Sequence, residues 1–146
     1  MNKKKILAVT LARGGSKGIK NKNIKKLNGK PLVYYSINIA KRSKIFSKII
    51  ASSDSDKILK ICKRLGVSDV VKRPKDLSND RSGKIDAIRH ALIFSEKKYK
   101  TKFDHVIDLD ATSLLRSIQD LKKAYKKFLK TNSSNLFTVT KSNRSP

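Results

Sequence analysis

The stretch ILAVTLA at residues 6–12, followed at once by RGGSKG at residues 13–18, decides the fold. Seven residues without a charge show neither helical spacing nor alternation of polar and apolar positions. A short continuous apolar run bounded by a glycine-rich turn predicts a strand buried on both faces of a parallel sheet. The charged opening MNKKK has the outline of a secretory leader, but the apolar run is too short for one and Arg13 ends it.

Working outward, Pro31 opens a segment with apolar residues at Leu32, Tyr35, Ile39 and Ala40. That spacing predicts a helix with proline in its first turn. Residues 49–51 predict a second strand, after which Ser53 offers an N-cap with Asp56 three residues on. The helix that follows puts Ile58, Ile61, Cys62 and Leu65 on one face and stops at Gly66, which makes Cys62 a core residue. Residues 69–71 predict a third strand, 72–82 a polar loop, and the next helix carries Ile85, Ile88, Ala91 and Leu92 inward. A fourth strand is expected at 105–109. Ser117 then caps a helix with Ile118, Leu121, Tyr125, Phe128 and Leu129 on one face, and 136–140 reads as a fifth strand.

Strands alternating with helices of this length imply an α/β fold: a mostly parallel, Rossmann-like sheet with helices on both faces, in one domain spanning residues 1–146. Ligands of such sheets bind at the carboxyl ends of the strands. The candidate site is therefore the loops at 12–23, 52–56, 72–84 and 110–116.

Composition narrows the partners. The chain has 36 Lys+Arg against 11 Asp+Glu, a formal charge of +25, which draws it toward phosphate-bearing ligands. The charge is mostly lysine, 28 against 8 arginines, and is spread along the chain; aromatics are 6% and tryptophan is absent. A nucleic-acid module would gather its charge and add arginine and aromatic side chains, so that class is disfavoured. One cysteine excludes an internal disulfide, and no apolar segment approaches the roughly 20 residues of a membrane span, so a cytoplasmic protein is expected.

In the first loop, Gly14 and Gly15 let the backbone turn tightly and bring N–H groups to a ligand, while Arg13, Lys17 and Lys22 supply positive charge. This is anion-binding chemistry, yet GGSKG has the spacing of neither the P-loop nor the dinucleotide fingerprint. Spacing alone leaves a phosphate loop and a solvated basic turn both open. His90, on the third helix, and His105, at a strand start, have no metal-ligand spacing and read as packing and surface residues. Asp54 and Asp56 read as capping residues, with Asp54 also placed where it faces the site.

ARGGSKGIKNKN (12–23) followed by LNGKPL (27–32) resembles the nucleotide-binding signature of acylneuraminate cytidylyltransferases, which make CMP-sialic acid and its relatives; the fold implied is the nucleotide-diphospho-sugar transferase type. SSDSDKI (52–58), KRPKDLSND (72–80) and LDATSLLR (109–116) agree in order, so the resemblance covers the whole chain. It implies transfer of CMP from CTP to the anomeric hydroxyl of a nonulosonic acid, with Arg13, Gly15, Ser16, Lys17, Lys22 and Asn23 around CTP and Arg13, Lys17 and Lys22 stabilising the departing pyrophosphate. Asn23 has the donor and acceptor to read a base or ribose.

Arg73 matches a second arginine at the nucleotide, and Asp80 lies in the adjoining acidic turn. Lys84, implied at the nucleotide too, stands where the sialic acid enzymes often have serine, with an ammonium able to reach phosphate or a sugar carboxylate. Asp110, Thr112, Ser113 and Arg116 are implied at the sugar. Asp110 replaces a glutamine and Leu114 a proline of the family pattern, and an aspartate there is a variant associated with legionaminic-type sugars. The resemblance also implies Mg²⁺, for which Asp110 is the post-strand carboxylate nominated as a ligand, and a homodimer whose dimerisation and metal-binding parts lie beyond the 146 residues. The competing expectations are a related transferase for Kdo and a basic nucleic-acid-binding domain.

Overall fold

In the computed structural model, which describes residues 4–15, 18–78 and 83–139, the opening stretch forms β1 (Ile6–Leu11). Ile6, Leu7, Ala8, Val9 and Thr10 are each 4% exposed or less, as a strand covered on both faces requires. The chain divides into two compact units, residues 1–115 and 116–146.

The first unit carries the sheet. After β1 come a hairpin of β2 (Lys26–Leu27) and β3 (Lys30–Pro31), the helix α1 (Leu32–Ser43), β4 (Lys48–Ser53), α2 (Asp56–Arg64), β5 (Asp69–Lys72), α3 (Lys84–Tyr99) and β6 (His105–Asp108). β1 pairs in parallel with β4 on one side, Val9 opposite Ile50, and with β6 on the other, Val9 opposite Asp108; β4 pairs in parallel with β5. The order β5-β4-β1-β6 reverses direction at β1, which opens a crevice at the carboxyl ends of β1 and β6.

Alternation along the strands splits the core in two. Ala12 and Ala51 face α1 and α2 through Val33, Ile37, Ile58 and Cys62. Leu7, Val9, Ile50 and Val71 face α3 through Ala91 and Leu92. Helices therefore cover both faces. The second unit holds α4 (Ile118–Thr131), opened by a capping box in which Ser117 and Asp120 each bond the other's backbone N–H.

Four expectations are corrected. Ser53 does not cap α2: it stays in the ladder opposite Lys72, and Ser55 takes the cap position with Asp56 as the first helical residue. Pro31 precedes α1 instead of entering its first turn, because it pairs with Lys26 in the hairpin. Ile85 is 60% exposed; the face of α3 against the sheet is Ala87, Ala91 and Ser95, small residues at four-residue spacing that let helix and sheet approach closely. Residues 136–139 form no strand, having no ladder partner among the described residues, and Phe137 and Val139 are exposed; Thr140 lies outside the described residues.

Candidate active site

At the carboxyl end of β1 the ladder to β4 continues one residue into the loop, with the Ala12 N–H donating to the Ser52 carbonyl at 3.0 Å. The next peptide unit, Arg13–Gly14, is held from two sides. Its carbonyl accepts from the Asn23 side-chain amide at 2.9 Å, and its N–H donates to Asp54 Oδ1 at 2.8 Å. Asn23 reaches it from a 3-10 turn, Lys22–Ile24, and is buried. A side chain at residue 14 would crowd the bend that follows β4, since a Cβ there would lie 3.0 Å from the Ser55 Cβ.

Arg73 sits just past β5 and is buried. Its Nη2 donates to the Ser52 carbonyl at 2.9 Å and its Nε to Ser52 Oγ at 3.3 Å, while its own backbone N–H donates to the Ser53 carbonyl at 2.8 Å. Burial lowers its pKa, the charge of Asp54 raises it and the charge of Arg13 lowers it further. Two guanidiniums and one carboxylate thus share the ends of β1, β4 and β5. Arg13 and Lys22 are half-buried and Gly15 is exposed; Ser16, Lys17 and Asp80 lie outside the described residues.

A second cluster stands at the end of β6. Lys84, the first residue of α3, places its ammonium 2.6 Å from Asp108 and 3.2 Å from Asp110. Asp110 Oδ1 accepts the Thr112 N–H at 2.8 Å and the Thr112 hydroxyl at 2.6 Å. Its backbone carbonyl accepts from Ser36 Oγ of α1 at 2.6 Å and from the Ser113 N–H at 3.3 Å. Burial alone would raise the Asp110 carboxyl, but the Thr112 hydroxyl and N–H together with Lys84 pull it down to about 2. Burial likewise opposes the Lys84 charge, and bonding to Asp108 and Asp110 overcomes it, so its pKa rises. Asp110 is therefore a fixed anion.

Of the expected residues, the structure joins Asn23 to the Arg13 backbone, sets Arg73 beside Arg13, and pairs Lys84 with Asp110 next to Thr112 and Ser113. Arg116 belongs to the second unit, directly before Ser117. Asp108 and Ser36 were not singled out as site residues, and Asp54 was read as a capping residue that also faces the site. Asp54 carried a signal, an acid after a strand, that capping explained equally well; Ser36 carried none, since nothing local marks a helix serine that bonds a loop 74 residues away. His90 and His105 are both half-buried, and no group of three or more metal-ligating side chains occurs among the described residues.

A family profile described as cytidylyltransferase matches residues 7–146. The flagellin modification protein B of Campylobacter coli is 45% identical over 141 residues, 97% of this chain and 60% of that protein. The CMP-N,N'-diacetyllegionaminic acid synthase of Campylobacter jejuni is 46% identical over 108 residues, 74% of this chain and 46% of that protein. The chain thus spans about half to three fifths of the length of these relatives. Among solved structures, a CMP:2-keto-3-deoxy-manno-octonic acid synthetase complexed with CTP superposes with a TM-score of 0.69 at 18% identity, covering 88% of this chain and 49% of that one, a likeness of fold. The profile spans nearly the whole chain and the relatives match it over most of the same length, and the chain belongs to the cytidylyltransferase family.

Proposed function

We propose that this chain binds CTP and transfers its CMP moiety to the anomeric hydroxyl of a nonulosonic acid, in a cytoplasmic homodimeric enzyme. The observation that carries the reading is the clamped glycine loop at the sheet's reversal point, with Arg13 and Arg73 beside it. A 46%-identical relative named for a legionaminic acid nucleotide supports a nonulosonic acid over Kdo.

In this reaction the sugar oxygen attacks the α-phosphorus, the bond from that phosphorus to the bridging oxygen breaks, pyrophosphate leaves with the electron pair, and the hydroxyl proton passes to water. Arg13, Lys17 and Lys22, with backbone N–H groups from Gly15 and Ser16, are assigned to the triphosphate and meet the negative charge that grows on the leaving group. Arg73 adds a buried, pre-positioned charge that needs no reorganisation. Asn23 holds the loop in shape. Thr112, Ser113 and Lys84 are assigned to the sugar side, where an ammonium suits the acid's carboxylate. Asp110, with a carboxyl near 2, orients its neighbours and is too weak a base to accept the sugar proton.

Asp110 also offers Mg²⁺ the hard, permanently ionised oxygen that the ion prefers, and no cluster of further ligands accompanies it among the described residues. Asp110 would hold the ion, which would supply charge screening for the triphosphate.

Calorimetric titration with CTP, ATP, GTP and duplex DNA at physiological salt tests the reading, followed by pyrophosphate release with sialic, legionaminic and Kdo-type sugars. CTP is expected to bind best, and Arg13→Ala to weaken it about tenfold or more. Equal affinity for CTP and GTP, or DNA binding that ignores CTP and falls steeply with salt, would overturn it.

A further inference from the structure

Asp54 raises a physical problem. A carboxylate at the mouth of a triphosphate loop repels the ligand, so its presence there calls for a compensating role. The same peptide unit gives the answer: its carbonyl is bonded by Asn23 at 2.9 Å and its N–H by Asp54 at 2.8 Å. With both ends bonded, the plane cannot rotate about its two flanking bonds, and that plane sets the direction in which the chain enters Gly15. Asp54 is itself held in place. It follows the last residue of β4, and the Ser55 N–H beyond it donates to Ser53 Oγ at 3.0 Å, which fixes the bend that carries the carboxylate. The approach is close, with a Cβ at residue 14 falling 3.0 Å from the Ser55 Cβ. The charge of Asp54 also acts on Arg73 in the opposite sense to that of Arg13, and so offsets the repulsion between the two guanidiniums before a ligand arrives.

We propose that Asp54 is a positioning residue for the nucleotide: acting through the Gly14 N–H and opposite Asn23, it locks the Arg13–Gly14 peptide and so pre-shapes the loop that receives the phosphates. The inference rests on the reading of the loop as a triphosphate site. It does not require Asp54 to touch the ligand, and it predicts an effect that scales with phosphate content.

Asp54→Ala and Asp54→Asn, made in the full chain, separate the possibilities, because asparagine keeps an acceptor oxygen for the Gly14 N–H and loses the charge. Affinities for cytidine and CTP are measured by calorimetry, and the Gly14 amide is followed by its proton chemical shift and exchange rate. The alanine variant is expected to weaken CTP about tenfold and leave cytidine within about twofold, with the Gly14 amide shifted upfield and exchanging faster. The asparagine variant is expected to restore CTP binding to within about threefold and to keep the Gly14 shift. An alanine variant that binds CTP as the parent does, or an asparagine variant as impaired as alanine, overturns the proposal; so does an equal loss for cytidine and CTP, which is the signature of general unfolding. If the parent chain binds no CTP, the proposed function fails, and the Gly14 amide alone then decides: a shift lost in alanine and kept in asparagine supports the lock, and an unchanged shift rejects it.

Discussion

Asp110 ionises against its own burial because three donors converge on it, and that balance has a pH signature. Its folded pKa of about 2 lies below the ordinary carboxyl value of roughly 3.9, so its contribution to stability is full above about pH 4 and disappears as pH falls toward 2. Lys84→Met removes one of the lowering causes. Carboxyl-carbon NMR should show Asp110 titrating at higher pH in that variant; an unmoved midpoint would mean the ammonium is not the partner. Cys62 makes the opposite case: burial without an ionic partner pushes its thiol up to about 12. Native protein at pH 8 should leave it unlabelled by a thiol reagent, with labelling appearing only as the chain unfolds. Cys62→Ser buries a hydroxyl in the apolar cluster of Ile37, Ile58 and Ala51 and should cost about 1–3 kcal/mol in chemical denaturation.

Among the elements, α4 carries a complete capping box, so Ser117→Ala should remove helix content by far-UV dichroism and cost about 1 kcal/mol. Ser117 was legible in the sequence because its partner lies three residues away, whereas Ser53 misled because the signal of a cap and that of a strand end overlap. The strand ladder to Lys72 decides the matter, and it is a contact between segments. Ile85 misled in a similar way. Periodicity finds a helix, but which residues touch the sheet depends on how closely the helix packs, and Ala87, Ala91 and Ser95 permit the close approach. The hairpin of β2 and β3 was legible and passed over: Asn28 and Gly29, both at positive φ, are the residues such a turn demands. The site followed the same rule. Post-strand loops were readable from strand positions, while the bonds that fix them, Asp54 to Gly14 and Ser36 to Asp110, join residues 40 and 74 positions apart.

At the scale of the molecule, a charge of +25 is borne with few acids, and several of these sit in ion pairs: Asp104 with Lys4, Asp56 with Lys72, Glu96 with Lys102, Asp69 with Lys98. The excess lysines repel one another, so added salt should relieve more repulsion than it screens attraction. The melting temperature is expected to rise when sodium chloride is increased from about 10 to about 200 mM, a range over which the Debye length shrinks from roughly 30 Å to below 10 Å. A falling melting temperature would show that the ion pairs outweigh the repulsion. The position of β1 has a consequence in time. One edge meets β4 early in the chain, but the other waits for β6, with Ile6 against His105 and the Lys5 N–H on Asp104, 99 residues on. During synthesis the first strand made is therefore the last to be enclosed. A nascent chain arrested before residue 105 carries an open apolar edge that a holdase can grip, and release of the next few residues is what closes it.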